Sequence, residues 1–485
     1  MRKVFCALCM LLCLVQFAPA VQAAEAEEIS GTDLVTAHWG GESMERLFDG
    51  RFMESIRFRT GGYVTLKHEK GIGSLYILFD QQDCFYTLIN EDTGEKHTMD
   101  TAGFLHAYVN LEEIFGKAPE CLTLVFDAEE TKVCEIHAFT TGEVPDWVQK
   151  WEQPAEGTSD LVLFSTHGDD EQLFFAGMLP YYGQELGYNV QVVYMTGHWN
   201  MGMRRSHEML NGLWAVGVRN YPVFGPFGDY NTTTKEEIYQ KYRDKGVSEE
   251  DILAFVVENV RRFRPKVAVG HDLFGEYGHG MHMVYADLLC RASEISMDPT
   301  VFPESAEKYG TWDIPKTYLH LYWENPIRMN WDVPLESFGG MTAYEVTRFL
   351  GFPCHVSQQT YYSSYFAGMD TAADITQNSP CEFGLYRSTV GEDLEKNDLF
   401  ENVTSHAEDA LLEAQRQEEA EQLQQMVEET VTEQTEAPQT IPAETAVQQE
   451  IQGEAGEIPL LYLISAGISA VMLIIFGIKV LTNKK

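Results

Sequence analysis

Residues 161–171 read LVLFSTHGDDE, an apolar run followed directly by charged residues. Its first six residues are largely apolar, which is typical of a strand buried on both faces of a parallel sheet. Charged side chains follow the strand at once, with Asp169 and Asp170 beside His167. Burying two neighbouring carboxylates costs free energy through desolvation and like-charge repulsion, unless a cation compensates them. The stretch therefore predicts a buried strand that ends at a divalent metal site.

Strands and helices alternate on the C-terminal side of this stretch. From the apolar pattern we predict strands at 190–196 and 267–271, and helices at 171–186, 204–216 and 251–264. The alternation predicts an α/β fold for residues 158–390, with a Rossmann-like, mostly parallel sheet covered by helices on both faces. Reactive groups collect at the carboxyl ends of the strands in such sheets, and the charged stretch falls at one of these ends.

The N-terminal side has a different rhythm. Short apolar or alternating runs, separated by Gly, Asp and Glu turns, predict an all-β antiparallel sandwich over residues 29–148. Residues 47–51, LFDGR, with the basic and aromatic strand that follows, resemble the galactose-binding-like or discoidin-like sandwich often attached to secreted carbohydrate enzymes. A glycan-binding module and a non-binding spacer both remain open.

Both ends of the chain carry membrane-related signals. Residues 1–23 combine a basic start, a short apolar run and small residues, which is typical of a secretory signal peptide. Residues 458–479 are almost unbroken apolar sequence followed by lysines, so we predict a transmembrane helix with a cytoplasmic stub at 480–485, a buried core helix being the alternative. Residues 391–457 are acidic and of low complexity, and predict a stalk. We therefore expect a single-pass cell-membrane protein with extracellular globular domains.

The composition of the chain argues against several classes of protein. The 485 residues carry 74 acidic and 34 basic side chains, a formal net charge of −40. Affinity for nucleic acid depends on Lys and Arg that neutralise phosphates, so we predict no nucleic-acid partner. The cysteines outside the signal peptide are spread widely along the chain, which argues against a disulfide-stapled miniature fold and against a zinc ribbon.

The ligands of the expected metal come from two strand ends. His167 and Asp170 lie three residues apart at a strand-to-helix turn, so both side chains can reach one ion. Residues 277–282, YGHGMH, follow the strand at 267–271 and offer a third ligand. Three protein ligands plus water form an open, catalytic site that suits zinc best, with iron and manganese as alternatives. We expect one metal per chain, with Asp169 placed to take a proton from the water.

The two motifs together resemble those of the PIG-L/LmbE-like metal-dependent deacetylases. HGDDE at 167–171 corresponds to the usual HPDDE of that family, and YGHGMH at 277–282 to its YGHPDH. Weaker signals agree: RSHE at 205–208 resembles the family's Arg-x-x-Glu helix, Asp229 falls where a sugar-binding aspartate is expected, and HVSQ at 355–358 resembles its late His-x-Ser-Gln. The resemblance covers roughly residues 160–360.

The resemblance implies a role for each matching position. It implies that His167, Asp170 and His282 are the metal ligands and that Asp169 is the general base. It places His279 and Tyr277 on the side of the carbonyl oxygen, and it implies that Arg205 and Asp229 bind the sugar. The implied reaction is hydrolysis of an N-acetyl group from an N-acetylglucosamine-type sugar or glycan, with release of acetate.

Two positions depart from the family pattern. Gly168 stands where the family has proline, which is expected to loosen the turn. Met281 stands where the family has an aspartate that orients the catalytic histidine. His279 is therefore expected to have a lower pKa or a new partner, with Glu276 and Asp272 as candidates.

Ordinary structural roles compete with the functional ones. His167, Asp170 and His282 could form a hydrogen-bonded cluster without metal. Asp169 could cap the following helix. Each of the other candidates has its own structural alternative: a solvated helical pair for Arg205 and Glu208, turn chemistry for Asp229, and a supporting rather than a ligating role for His355.

The leading hypothesis is thus a membrane-tethered N-acetyl sugar deacetylase. A rival from another class is a non-catalytic surface protein that binds glycans on a decayed deacetylase scaffold. A third possibility keeps the metal and changes the amide that is hydrolysed.

Overall fold

A computed structural model describes residues 24–197 and 203–436, with side chains up to residue 428. The predicted signal peptide (1–23), transmembrane helix (458–479) and cytoplasmic stub (480–485) lie outside these residues. Among the helices that the structure describes, none combines the length and the apolar character needed to cross a bilayer.

Nine strands make up the N-terminal region. They are Val35–Trp39 (β1), Ile56–Arg59 (β2), Gly62–Lys67 (β3), Ser74–Phe79 (β4), Phe85–Asn90 (β5), Lys96–Asp100 (β6), His106–Asn110 (β7), Cys121–Phe126 (β8) and Glu130–Phe139 (β9), with a short helix Leu111–Phe115 (α1) after β7.

These strands form two antiparallel sheets, ordered β1-β3-β8-β5-β6 and β2-β9-β4-β7. Side chains alternate between buried and less buried along β3, so that Val64 and Leu66 face the interior. They share one apolar core with Leu75 and Ile77 of the other sheet. The predicted β-rich N-terminal region is confirmed, and its two sheets enclose a single core.

In the second region, the residues that the structure describes form seven strands and most of the helices. Its strands are Leu161–Ser165 (β10), Val190–Tyr194 (β11), Val223–Phe224 (β12), Val267–Gly270 (β13), Lys316–His320 (β14), Pro326–Arg328 (β15) and Glu382–Ser388 (β16). Its α-helices are Asp170–Leu173 (α2), Arg204–Ala215 (α3), Lys235–Arg243 (α4), Glu249–Phe263 (α5), Gly280–Ile295 (α6), Pro303–Tyr309 (α7), Ala343–Val346 (α8) and Tyr362–Tyr365 (α9), and His406–Glu436 (α10) follows.

The seven strands form one sheet in the order β12-β11-β10-β13-β14-β16-β15. Strands β10 to β14 pair in parallel, and β16 runs antiparallel to both of its neighbours. All five residues of β10 are buried, because apolar clusters cover the sheet on both faces. The predicted mostly parallel sheet is confirmed, and β10 lies at its centre.

The helix predicted at 171–186 is interrupted. The structure has the short α2, then irregular turns, then a π-helical turn at Pro180–Glu185. Gly177 lies in the break with φ +89°, and a Cβ there would come within 2.6 Å of Trp331. The chain turns at Gly177 because the indole of a distant segment packs directly against its backbone.

The segment that follows β16 is also more ordered than the predicted stalk. Asp393 forms a buried ion pair with Lys316 of β14, and Leu399 and Phe400 belong to the apolar core of the α/β region. The compact region therefore extends past the predicted boundary at residue 390, because these apolar side chains bury themselves on its surface. Beyond it, the side chains of α10 that the structure describes from residue 415 onwards are exposed.

Candidate active site

The three predicted metal ligands meet at the carboxyl end of β10. His167 and Asp170 occupy the turn between β10 and α2, and His282 lies in the first turn of α6. His167 Nδ1 is 3.0 Å from His282 Nε2 and 3.1 Å from Asp170 Oδ2, and His282 Nε2 is 3.2 Å from the same Asp170 oxygen. All three side chains are buried. The structure thus brings together donors from sequence positions more than a hundred residues apart.

The donor set fits a zinc ion. Nitrogen and oxygen ligands lie about 2.0–2.2 Å from zinc, so tetrahedral ligands are separated by roughly 3.3–3.6 Å. The three observed separations, 3.0–3.2 Å, are close to this range and point the three atoms at one small volume. Two imidazoles and one carboxylate are also a ligand combination that zinc prefers.

Glu276 contacts one member of this cluster, His282, and two further histidines. Its Oε2 is 2.7 Å from His282 Nδ1 and 2.9 Å from His271 Nδ1, and its Oε1 is 2.7 Å from His320 Nδ1. Burial alone would raise the pKa of Glu276, but the charges and hydrogen bonds of His271 and His282 outweigh it and hold the pKa well below its usual range. A carboxylate on the outer nitrogen of a ligating histidine orients the ring and raises its basicity.

Glu276 was expected as a candidate partner for His279, and neither His271 nor His320 was predicted as a site residue. The Glu276 carboxylate instead contacts His271, His282 and His320 and accepts from the backbone N–H of Asp272. His271 ends the predicted strand at 267–271, and His320 ends β14. A histidine at the carboxyl end of a parallel strand was the available signal for both.

Asp169 lies beside the cluster and contacts Arg205. It occupies the N-cap position of α2, where its backbone oxygen accepts from Gln172 and Leu173, but its side chain does not cap the helix. Arg205 Nη2 instead donates to Asp169 Oδ1 over 3.2 Å. Burial, then the charge of Asp170, raises the pKa of Asp169 to about 6, against the opposing charge of Arg205. A carboxylate with a pKa in this range can accept a proton near neutral pH.

Arg205 and Glu208 are not a solvated pair. Arg205 is 4% exposed and donates to the Gly168 carbonyl oxygen over 2.5 Å as well as to Asp169. Glu208 is fully buried and accepts from the backbone N–H and the hydroxyl of Ser357. The solvated alternative is therefore wrong, because α3 packs its first turn under the active-site turn.

Gly168 packs closely against Met209. A Cβ at Gly168 would lie 2.3–2.7 Å from the Cγ, Cε and Sδ atoms of Met209. Met209 is fully buried in the core beneath the turn. The methionine thus occupies the space that a side chain at position 168 would need, and the loosened turn stays a prediction.

His279 is adjacent to the cluster and lacks the partner that the family aspartate supplies. Its ring centroid is 4.8 Å from that of His282 and 4.9 Å from that of His167. Its buried Nδ1 has no hydrogen-bond partner within the described part of the chain. Burial, then the charges of His167 and His282, lowers the pKa of His279 to about 3, so the ring is neutral.

Met281 explains why no substitute partner is present. Its side chain is buried in the apolar cluster that covers one face of the sheet, where the Tyr242 hydroxyl donates to Met281 Sδ over 3.4 Å. It therefore points away from His279. Asp272, the other candidate, accepts instead from the backbone N–H of Phe274.

Tyr277 and Asp229 complete the rim. Tyr277 has a left-handed backbone with φ +48° and a side chain that is 55% exposed, 5.6 Å from His279 between ring centroids. Desolvation, followed by the charge of Asp170, raises the pKa of Tyr277 well above its usual range, so the phenol keeps its proton. Asp229 Oδ1 lies 3.2 Å from His167 Nε2. Asp229 therefore does more than shape a turn.

These residues enclose a cavity of about 180 Å³. Every predicted site residue except His282 lines it, and the remaining wall is partly aromatic. That wall includes Phe174, Asn231, Gln358, Tyr361 and Tyr365. His355 lies elsewhere, with Nε2 2.8 Å from Glu171 Oε1, both fully buried. It has no described contact with the three ligands.

Comparison with known proteins agrees with the resemblance drawn from the motifs. Residues 162–293 match the family model described as PIG-L, GlcNAc-PI de-N-acetylase. The match begins in β10 and ends in α6, so it spans the turn that carries His167 and the helix that carries His282. The predicted resemblance is confirmed for this segment.

Two curated relatives are 1D-myo-inositol 2-acetamido-2-deoxy-alpha-D-glucopyranoside deacetylases. The protein of Catenulispora acidiphila is 26% identical over 182 residues, which are 33% of this chain and 54% of the relative. The protein of Streptomyces scabiei is 27% identical over 179 residues, again 33% and 54%. The chain thus spans about half the length of these relatives. Among solved structures, the N,N'-diacetylchitobiose deacetylase of Pyrococcus horikoshii aligns at 13% identity over 44% of this chain and 81% of that chain, with a TM-score of 0.27.

Proposed function

We propose that this chain removes N-acetyl groups from N-acetylglucosamine-type sugars, releases acetate, and uses one divalent metal, zinc, as its catalytic cofactor. One observation carries the proposal: His167 Nδ1, Asp170 Oδ2 and His282 Nε2 lie within 3.2 Å of one another beside Asp169. The printed names of the curated relatives, which are deacetylases of a 2-acetamido sugar, support the substrate class.

His167, Asp170 and His282 would hold the metal. When bound, it supplies Lewis acidity that polarises the amide carbonyl and activates water. Glu276 keeps the ring of His282 oriented toward the ion. Asp229 does the same for His167 through the other ring nitrogen, 3.2 Å away.

Asp169 is the proposed general base. Arg205 holds the carboxylate through Oδ1, so that Oδ2 accepts a proton from the water that attacks the acetyl carbon. The C–N bond then breaks, and Asp169 passes this proton to the amine that leaves. The raised pKa of Asp169, about 6, suits a group that both takes and returns a proton.

His279 and Tyr277 are proposed as donors to the carbonyl oxygen. Because the low pKa of His279 keeps its ring neutral, His279 donates a hydrogen bond and is a poor source of a proton for the amine. Tyr277 stays protonated and lies on the rim beside it. Asp229 and the nearby tyrosine rings would contact the hydroxyls and faces of the sugar.

We further propose that the chain is anchored in the cell membrane through residues 458–479, with the globular part outside. The apolar run at 458–479, the lysines after it and the signal-peptide pattern at 1–23 support this topology. Protease treatment of intact cells should digest the globular part and spare a tag at the C-terminus. Protection of the globular part until the cells are lysed would contradict the topology.

The activity is tested by acetate release from defined N-acetylglucosamine oligosaccharides, using the purified full chain loaded with zinc. Asp169→Asn should abolish acetate release while the metal content stays unchanged, since Asp169 is not a ligand. Asp287→Asn, on the outer side of α6 and paired with Lys235, is the matched control and should keep full activity. Full zinc occupancy without acetate from any amino sugar would count against the proposal.

A second candidate is a non-catalytic glycan-binding protein. Met281 favours it, because the missing carboxylate leaves His279 Nδ1 without a partner within the described residues. Glycan binding that survives chelation, without turnover, would support this candidate. If acetate is absent but another acid is released, the chain hydrolyses a different amide.

A further inference from the structure

A second group of potential metal ligands lies between the β-sandwich and the α/β region. Asp80 follows β4, Cys134 is on β9, and His207 is on α3. One donor atom from each of the three lies within 4.8 Å of the other two. We call these three residues the interface cluster. No part of the proposed deacetylation involves them.

The interface cluster is enclosed on one side and accessible on the other. Cys134 and His207 are buried, whereas Asp80 is partly exposed. Cys134 Sγ is 4.0 Å from His207 Nε2. Asp80 is held in place by the Ser55 hydroxyl, which donates to Asp80 Oδ2 over 3.1 Å. An ion could therefore enter from the side of Asp80.

A chain of hydrogen bonds determines which ring nitrogen of His207 carries the lone pair. The Trp151 indole N–H can only donate, and its partner 2.8 Å away is therefore the oxygen of the Gln149 amide. Two oxygens lie 2.7 Å from His106 Nδ1, this amide oxygen and the Tyr76 hydroxyl oxygen. Because the amide oxygen can only accept, His106 Nδ1 carries the proton. His106 Nε2 is then an acceptor, and it lies 2.7 Å from His207 Nδ1.

The last link leaves His207 Nε2 without a proton. Both imidazoles are buried, and burial disfavours the charged form, so each ring has one N–H and one lone pair. His207 uses its N–H on His106, and its lone pair at Nε2 faces Cys134 and Asp80. This is the arrangement typical of a ligating histidine, whose outer N–H donates to a neighbouring acceptor.

We propose that Asp80, Cys134 and His207 bind a second divalent metal ion, preferably zinc, which joins the β-sandwich to α3. A thiolate, an imidazole and a carboxylate are zinc ligands. Zinc lies about 2.3 Å from a sulfur ligand and 2.0–2.1 Å from a nitrogen ligand. One ion can therefore contact both Cys134 Sγ and His207 Nε2, which are 4.0 Å apart, only if the angle between these two ligands is wider than tetrahedral. Water on the exposed side of Asp80 fills the fourth position.

Such an ion would stabilise the helix that supports the active site. Arg205 and Glu208 flank His207 on α3, and Arg205 contacts Asp169. Two of the three ligands come from the β-sandwich, so the ion would link the two regions covalently at the start of this helix. The role is structural, because the cluster is not part of the catalytic cavity.

The thiolate of Cys134 provides a spectroscopic test of the proposal. The catalytic ligands contain no sulfur, and among the groups of potential metal ligands in residues 24–197 and 203–428 only the interface cluster contains a cysteine. A thiolate-to-metal charge-transfer band in the metal-stripped chain loaded with Co²⁺ is therefore assigned to Cys134. We expect such a band and two Co²⁺ per chain. Cys134→Ser should lose the band and one metal, whereas Cys121→Ser, which changes another cysteine of the sandwich, should keep both.

Further variants distinguish loss of metal at the interface cluster from loss of metal at the catalytic cluster and from misfolding. His282→Gln should lose the catalytic metal and keep the band. Asp80→Asn, a conservative change at the partly exposed ligand, should weaken Co²⁺ affinity in a folded chain, and His106→Gln should weaken it by roughly 10–100-fold. The proposal is overturned if the folded, reduced chain gives no band, if the band survives in Cys134→Ser, or if Asp80→Asn binds Co²⁺ as tightly as the wild type.

Discussion

The proposed catalytic cluster (His167, Asp170 and His282) and the interface cluster each place three potential metal ligands together, by different means. In the catalytic cluster, two ligands lie three residues apart on one turn, and all donors are nitrogen or oxygen 3.0–3.2 Å apart. In the interface cluster, the three potential ligands come from three separate segments and include a thiol, and their donor atoms lie within 4.8 Å of one another. The first opens into a cavity, whereas the second lies between two packed regions.

The two arrangements are suited to different tasks. Oxygen and nitrogen donors beside a cavity leave a coordination position for substrate or water, which is the requirement for catalysis. A sulfur donor at a junction between regions holds those regions together, which is the requirement for stability. Helix α3 lies beside both clusters, since it carries His207 and also Arg205, which contacts Asp169.

The largest expected effect distinguishes a base from a ligand. Asp169→Asn should lower kcat by about 10²–10⁴-fold, because it removes the proton acceptor and leaves the ligands intact. Steady-state acetate release together with metal analysis checks this result. A loss of metal in Asp169→Asn would instead make Asp169 part of the catalytic cluster.

A second prediction tests whether Glu276 affects metal binding at the catalytic cluster without affecting the interface cluster. Glu276→Gln should reduce the metal affinity of the catalytic cluster by roughly 10–100-fold, because His282 loses its charged partner. The charge-transfer band of the interface cluster should not change. Competition with a chelator measures the affinity, and Glu258→Gln, at the outer face of α5, serves as the control. Equal affinities in wild type and Glu276→Gln would show that Glu276 only packs against His282.

A third prediction concerns the tight turn of the catalytic cluster. Gly168→Ala should lower the free energy of unfolding by about 1–3 kcal/mol, because its Cβ meets Met209. The same change should cost less in a Met209→Ala background, where the space is free. Denaturant unfolding of the four proteins in this cycle measures both costs. If the two costs are equal, the contact with Met209 does not select glycine.

The smallest expected effect is a shift in the pH profile. Asp169 acts only when ionised and its pKa is raised to about 6, so kcat/KM should fall as the pH drops below this value. The charge of Arg205 opposes this rise in pKa, and Arg205→Met should therefore move the acid limb to higher pH. Arg204→Met, at the neighbouring and more exposed position, should leave the limb where it is. An acid limb that does not move in Arg205→Met would mean that another group controls it.

The same contrast explains how much could be predicted from the sequence. His167 and Asp170 were accessible because a strand-to-helix turn fixes their relation locally, and His282 followed from a second motif at another strand end. The break at Gly177 depends on Trp331, and the burial of Glu208 depends on Ser357, about 150 residues away in each case. Local periodicity contains no information about such contacts.

The interface cluster was beyond sequence analysis for the same reason. Asp80, Cys134 and His207 follow no motif spacing, and the cysteines outside the signal peptide are spread widely along the chain. Only the packing of β9 against α3 brings Cys134 and His207 together. Motif spacing can therefore identify a site built on one turn more readily than a site built between two regions.

The most direct test of the central claim is anomalous diffraction at the zinc edge from crystals of the zinc-loaded protein that release acetate. We predict a peak about 2.0–2.3 Å from His167 Nδ1, Asp170 Oδ2 and His282 Nε2. Active crystals with no anomalous peak among these three atoms would contradict the account.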